Sequence, residues 1–238
     1  MVAKYSTIDQ VGCLEIGDGQ LNSICTGDFL DVSSIDEWIK KGKLKGLIIV
    51  GAGRHFSTGA DLGRLRAYGL GIEEELQKGK DVLNYLESLP IVVVAAIKGA
   101  CLGAGFELAL ACHYRFCARN SVFSFPEVTH GLIPGLDGSY RLSKLLGACQ
   151  AKKYIFTGQM IYGEEALRVG IVEKIVDKDQ LIEECVKFIN DMTENISDDQ
   201  RLFLSEIFDG YKNNPPYTAS MSQFEGRAFT ELILKDRR

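Results

Sequence analysis

Lys98-Gly99-Ala100-Cys101-Leu102-Gly103-Ala104-Gly105-Phe106-Glu107-Leu108-Ala109-Leu110-Ala111-Cys112 follows directly on Ile91-Val92-Val93-Val94-Ala95-Ala96-Ile97. The leading run is apolar and rich in β-branched residues, which reads as a strand buried on both faces. At seven residues it falls far short of the ~20 needed to span a bilayer. A glycine-rich turn comes next, and then a helix pattern built on alanine, leucine and phenylalanine. One charge interrupts that helix, Glu107.

The same plan of strand, glycine-rich turn and helix occurs earlier. Gly46-Leu47-Ile48-Ile49-Val50 is followed by Gly51-Ala52-Gly53-Arg54-His55-Phe56-Ser57-Thr58-Gly59-Ala60-Asp61-Leu62. Between the two units Glu73–Glu87 reads as an amphipathic helix with Leu76, Val82, Leu83 and Leu86 on one side. Upstream, Tyr5–Asp9 and Val11–Ile16 read as short strands across a turn, and Phe29–Lys41 as a helix. Tyr114–Ala118, Val122–Phe125 and Ile171–Val176 read as further strands.

From about residue 138 the pattern turns helical: Ser139–Leu146, Ala148–Phe156, Tyr162–Val169, Gln180–Met192 and Arg201–Tyr211. Gly147, Gly158 and Gly170 stand where glycines end helices. Asn213-Asn214-Pro215-Pro216 sets off a last helical stretch, Ala219–Leu234. No Pro/Ser-rich linker interrupts residues 1–195. The expectation is one α/β core over 1–195, including the first helices of the C-terminal region. A helical arm over 196–238 is expected to pack on a neighbour.

The 238 residues are 46% hydrophobic and 25% charged, which excludes disordered and fibrous classes. A net charge of −5 offers no basic excess for nucleic acid or a polybasic membrane role. Met1–Ser6 carries no apolar signal core. Seven cysteines, without a C-x-x-C pair, fit a reducing cytoplasmic compartment.

The glycine turns do not hold nucleotides. Phe56 replaces the third glycine of the dinucleotide fingerprint, and no Gly-Lys-Ser/Thr closes a phosphate loop. A helix N-terminus still presents unpaired N–H groups. Gly59-Ala60 and Gly103-Ala104-Gly105 place small residues at two such turns, where two N–H groups could converge on one oxygen of a thioester or acyl substrate. Ordinary tight packing of strand-to-helix turns is the other reading of these glycines. Glu107 and Glu127 sit in apolar surroundings, which raises a carboxyl pKa toward neutrality and suits general acid–base chemistry. A solvent-facing helix glutamate and a turn-capping one are the alternatives. No His/Cys/Asp cluster has metal-ligand spacing, and no G-x-S-x-G elbow is present.

Three segments together resemble the enoyl-CoA hydratase/isomerase (crotonase) superfamily. They are His55-Phe56-Ser57-Thr58-Gly59-Ala60-Asp61-Leu62, Ala100–Ala109, and Phe125-Pro126-Glu127-Val128 with Gly131-Leu132-Ile133-Pro134-Gly135. Gly158-Gln159 and Glu164–Val172 are similar to its later signature, so the resemblance covers roughly residues 3–195. It implies a ββα spiral followed by helical oligomerisation elements, assembled as a homotrimer or a dimer of trimers.

Carried over by position, the resemblance makes Ala60 and Ala104 the N–H donors of an oxyanion hole. Glu107 and Glu127, twenty residues apart, become the hydratase acid–base pair, with Glu127 in the principal role. Leu21, Ser57, Gly59, Asp61, Leu62, Gly103, Pro126 and Gly135 become substrate-binding positions. Gly135 is matched to a backbone position that helps hold water, and Leu21-Asn22 to a pair beside the CoA adenine. The implied substrate is a 2-enoyl-CoA, with coenzyme A part of the substrate and no separate cofactor or metal. A Δ3,Δ2-enoyl-CoA isomerase using Glu127 and a non-catalytic acyl-CoA-binding protein are the rivals.

The chain departs from the superfamily pattern at four places. Ala104 stands at a usual glycine, and Asp137 at a usual glycine or small residue, where it reads as another carboxylate near the cavity, open to a decarboxylase or thioester hydrolase, or as a turn residue beside Gly138. Gly17-Asp18-Gly19 replaces a common Arg-Pro turn in a shortened segment. With Arg238 last, the final helix of many relatives is expected to be missing. His55, His113 and His130 carry no clear role, and Arg64 and Arg66 read as exposed helix charges or as contacts for CoA phosphates.

Overall fold

The chain begins in a hairpin, β1 (Ala3–Ile8) against β2 (Val11–Ile16). Its two turn residues, Asp9 and Gln10, both take positive φ, 48° and 63°, which matches the hand of a two-residue hairpin. The computed structural model describes residues 3–196 together with 200 and 201. The expected helix at Arg201–Tyr211 beyond its first residue, that at Ala219–Leu234, and nearly all of the 196–238 arm lie outside the described residues.

α1 (Val32–Gly42) starts three residues after the expected Phe29. Asp31 accepts the Ser34 N–H at 3.1 Å as the N-cap, so the helix starts after it. Phe29 and Leu30 instead enter the core as non-helical chain. β3 (Gly46–Gly51) leads to α2 (Leu62–Ala67), a 3₁₀ turn (Gly69–Gly71) and α3 (Ile72–Ser88). β4 (Val92–Ile97), β5 (Ala100–Leu102) and α4 (Ala104–Ala111) form the next unit. β6 (Tyr114–Ala118), β7 (Val122–Ser124), a 3₁₀ turn (Pro126–His130) and α5 (Gly138–Leu146) form a third. α6 (Ala148–Thr157), β8 (Ile161–Tyr162), α7 (Gly163–Val169), β9 (Lys174–Val176) and α8 (Leu181–Thr193) complete the described chain.

One sheet has the order β1-β2-β3-β4-β6-β9 and is parallel beyond its first hairpin. A smaller sheet has the order β5-β7-β8. Parallel bridges Ile24–Ala60 and Ser57–Cys101 extend the pairing of the smaller sheet. Each unit therefore places a strand in the large sheet, an extended segment in the small one, and then a helix. This is the ββα spiral that the resemblance implied.

Alternation along β3 explains how both faces are filled. Leu47 and Ile49 join the inner cluster with Leu14, Val93 and Ala95, while Ile48 and Val50 join Cys185, Val186 and Ile189 of α8. Each such buried side chain contributes about 1.5–3 kcal/mol relative to exposure.

β5 and β8 carry no sequence signal, because two or three residues have no period of their own and are held by cross-strand pairing. Tyr162 closes β8 instead of opening a helix. β9 is shorter than the Ile171–Val176 run, because Ile171 and Val172 fold back onto Ala166 and the Ile171 carbonyl accepts the buried Arg115 Nε at 2.6 Å. All seven cysteines are unpaired, and burial pushes the Cys112 and Cys117 thiols up to about 12. Among the described residues no helix is long and apolar enough to cross a membrane.

Candidate functional site

The two glycine-rich turns meet. Gly103 ends β5 with φ 50° and ψ −124°, a conformation essentially restricted to glycine. Its carbonyl accepts the N–H groups of Phe106 and Glu107 at 2.8 and 2.9 Å, which closes the first turn of α4. The Ala104 N–H, at the first helical position, enters no hydrogen bond among the described residues. In the Ile24–Ala60 bridge the bonds run from Ile24 to the Gly59 carbonyl (2.9 Å) and from Asp61 to the Ile24 carbonyl (3.2 Å). That pattern likewise leaves the Ala60 N–H unused among the described residues. A Cβ added to Gly59 would stand 3.5 Å from the Ala104 nitrogen, so the two donors lie on adjoining turns.

A cavity of about 120 Å³ opens beside them. Gly59, Ala60, Leu62, Gly103, Ala104, Glu107, Pro126, Glu127 and Gly135 line it, joined by the apolar side chains of Ile24, Leu65, Leu76, Leu132 and Leu136. Nine of the sequence-selected positions are thus brought together. Three are not. Leu21 is 56% exposed, and its carbonyl accepts from Thr58. Ser57 is fully buried and accepts the Gly59 N–H at 3.1 Å, which supports the turn from beneath. Asp61 caps α2 by accepting the Arg64 N–H at 3.1 Å.

The two glutamates are held differently. Glu107, on the first turn of α4, is buried, and its Oε1 accepts the N–H of Leu136 at 2.7 Å and of Gly138 at 2.8 Å. Burial raises its pKa, the Asp137 charge adds to the rise, and the two N–H donors and Arg141 oppose it. Glu127 follows Pro126 at the start of the 3₁₀ turn. The residue as a whole is half-buried, and its Oε2 is buried with no hydrogen-bond partner among the described residues. A Cβ added to Gly103 would stand 2.8 Å from Glu127 Oε1, so a larger residue there would displace the carboxylate. Burial first, and the charge of Glu107 second, raise the Glu127 pKa. One proton shared by the pair therefore rests preferentially on Glu127, whose anion is eased only by its own backbone N–H, against the two N–H donors that hold Glu107.

Other residues at the site were not read as site residues from the sequence, or were left there without a settled role. Glu75 takes the Gly27 N–H at 2.9 Å and lines the cavity, as does the exposed His130. Arg141 is buried and donates to the Leu136 carbonyl at 2.8 Å and to Asn84 at 2.8 Å, and its Nε lies 3.2 Å from Glu87. Asp137 is not a simple turn residue. It is buried, does not line the cavity, and pairs with the buried Lys80 of α3 at 3.1 Å. Lys80 lies four residues after Leu76 and three before Leu83. That places a charge on the apolar stripe, a signal readable from the helical period. Among the described residues no group of three His, Cys, Asp or Glu side chains could hold a metal ion.

The family model for enoyl-CoA hydratase/isomerase matches residues 16–238. The alpha subunit of a fatty acid oxidation complex from Shewanella halifaxensis (strain HAW-EB4) is 43% identical over 149 residues, 60% of this chain. The chain spans only 21% of that relative's length. A solved enoyl-CoA hydratase from Bacillus anthracis superposes with a TM-score of 0.78 at 25% identity, covering 98% of this chain and 91% of that one. An enoyl-CoA hydratase structure from Polaromonas sp. JS666 shares the fold, with a TM-score of 0.81 over 94% of this chain and 88% of its own, at 22% identity. With its spiral fold and a family match running through the cavity residues, the chain belongs to the enoyl-CoA hydratase/isomerase family.

Proposed function

We infer that the protein is an enoyl-CoA hydratase that adds water syn across the double bond of a 2-enoyl-CoA. The observation that carries this reading is the pairing of two buried carboxylates, Glu107 and Glu127, on one cavity with two backbone N–H groups unused among the described residues. An isomerase needs only one carboxylate to carry a proton between C2 and C4.

In this reading the thioester oxygen sits between the N–H groups of Ala60 and Ala104, which stabilise the charge that develops on it as the enolate forms. The two glutamates hold one water. The Glu107 carboxylate, kept competent as an anion by the Leu136 and Gly138 donors, takes a proton from the water as its oxygen bonds to C3. Glu127, the preferred seat of the shared proton, delivers it to C2. One water is consumed, and a proton passing from Glu107 to Glu127 restores the pair. The apolar wall from Ile24 to Leu136 receives the acyl chain.

The assay is hydration of crotonyl-CoA, followed by loss of the conjugated absorbance, for wild type, Glu107→Gln and Glu127→Gln. Each substitution is expected to cost about 10²–10⁴-fold in kcat. Undiminished turnover in both variants would sink the two-carboxylate mechanism. Turnover of 3-enoyl but not 2-enoyl thioesters would favour the isomerase. Binding of acyl-CoA without turnover would favour a carrier.

The same reading includes assembly as a homotrimer or a dimer of trimers. Phe156 (74% exposed), Met160 (56%) and Tyr162 (62%) form an apolar stretch over α6 and β8 that supports self-association. Light scattering of the full chain tests it, and a monomeric mass would reject it.

A further inference from the structure

Glu107 is held by an arch of three residues, Leu136-Asp137-Gly138, whose outer two members give it their N–H groups. The middle member faces elsewhere. Asp137 has φ 65°, an uncommon conformation for a residue with a Cβ, and its carboxylate lies 3.1 Å from the Lys80 Nζ. Both side chains are nearly sealed from solvent, at 2% and 4% relative exposure. Neither lines the cavity.

A buried ion pair is a weak source of stability, because desolvation of both charges offsets their attraction. It is a strong source of geometry, since moving either partner leaves an uncompensated charge inside the protein. Here the pair ties α3, through Lys80, to the residue centred between the two donors that hold Glu107.

We propose that Lys80 and Asp137 form a positioning pair for Glu107: their contact fixes the Leu136–Gly138 arch, and the arch aims the Glu107 carboxylate into the cavity. The catalytic consequence rests on the hydratase reading. Arg141 assists from α5 by binding the Leu136 carbonyl at 2.8 Å. The charged and titratable groups around Glu107 are Asp137 on the arch, Arg141 from α5, Lys80, Glu87 and the cavity-lining Glu75 from α3, and Glu127 and His130 across the cavity. Glu87 is engaged with Arg141, so Lys80 is the α3 charge that balances Asp137. Without Lys80, the negative charge of Asp137 beside Glu107 loses its ion-pair partner. Without Asp137, Lys80 presents positive charge.

The test uses Lys80→Met, Asp137→Asn, the double variant, and Lys80→Arg. Asparagine tolerates the positive φ and keeps the shape of the side chain, so Asp137→Asn carries the test if Lys80→Met does not fold. With crotonyl-CoA, each single variant is expected to lose about tenfold to a hundredfold in kcat, the size of effect that a displacement of about 1 Å produces. KM should stay close to wild type. The double variant should be no worse than the poorer single one, and Lys80→Arg should recover part of the loss. In parallel, carboxyl ¹³C NMR of Glu107 follows its titration without any turnover. Its midpoint should rise in Lys80→Met, fall in Asp137→Asn and return toward wild type in the double variant.

A Glu107 titration unchanged in every variant would overturn the proposal, as would losses in kcat that simply multiply in the double variant. If wild type shows no hydratase activity while the titration moves as expected, the hydratase reading fails and the positioning pair stands.

Discussion

Gly138 donates its N–H to Glu107 Oε1 at 2.8 Å, and a Cβ added to Gly138 would stand 2.8 Å from that same oxygen. It would also stand 2.8 Å from the Phe125 ring, which stacks on Phe106 at 4.7 Å between centroids. The carboxylate and the aromatic wall therefore leave no room for a methyl group. Gly138→Ala is expected to push Glu107 from its donors and lower kcat for enoyl-CoA hydration by about 10²-fold. Overpacking should cost about 1–3 kcal/mol in stability, measured by urea unfolding. Wild-type kcat in this variant would show that Glu107 need not be held in place.

Ala104 separates the N–H from the side chain of one candidate oxyanion donor. It is the first residue of α4, where proline is tolerated because no intrahelical hydrogen bond uses its nitrogen. Ala104→Pro should keep the fold and lose about 10²–10³-fold in kcat, the effect of removing one oxyanion donor. Ala104→Gly retains the N–H and should stay within a few-fold of wild type. Equal activity in the two variants would exclude this N–H from the reaction.

Burial of Glu127 has a pH signature. Its folded-state pKa is raised, so the folded protein holds its proton more tightly than the unfolded chain does. Stability from this group is fully present below the unfolded value, about 4.3, and is lost as pH rises toward the raised folded-state value. Glu107 acts in the same direction. Thermal melts of Glu127→Gln should show higher Tm than wild type at neutral and weakly alkaline pH, with the gain shrinking toward pH 4. A variant less stable than wild type at pH 8 would contradict a buried, destabilised carboxylate.

Asn22 joins two loops ahead of the site. Its buried amide nitrogen donates to the carbonyls of Ala52 (2.8 Å) and His55 (2.9 Å), and its Oδ1 accepts the Gly19 N–H at 3.0 Å. Asn22→Asp keeps the shape but turns a donor into an acceptor facing carbonyl oxygens. A loss of at least ~2 kcal/mol in urea unfolding is expected. An unchanged midpoint would leave the segment held by its other contacts, among them the Leu21–Thr58 bonds.

Much of the site was legible because its parts are local signals. Gly59 and Gly103 mark turns at φ 94° and 50°, and Glu107 is a lone charge in an apolar helix. Ser57 and Asp61 share a motif with Ala60, yet they serve the turn and the cap rather than the cavity wall. Asp137 read as a turn residue because its partner, Lys80, is fifty-seven positions away in sequence.

By itself, the order of residues determined the buried strands, the strand-turn-helix units, and the places where the backbone would need glycine. Those properties follow from side-chain period and local torsion preference, which a short window contains. Only the tertiary structure decided that Ala60, Ala104, Glu107 and Glu127 open on one cavity, and that Lys80 reaches through the core to Asp137. Strands of two or three residues, the unpaired oxygen of Glu127 and the arch over Glu107 exist because distant segments pack together. Burial and long-range hydrogen bonding set their energies, and neither is a property of a residue and its neighbours in the chain.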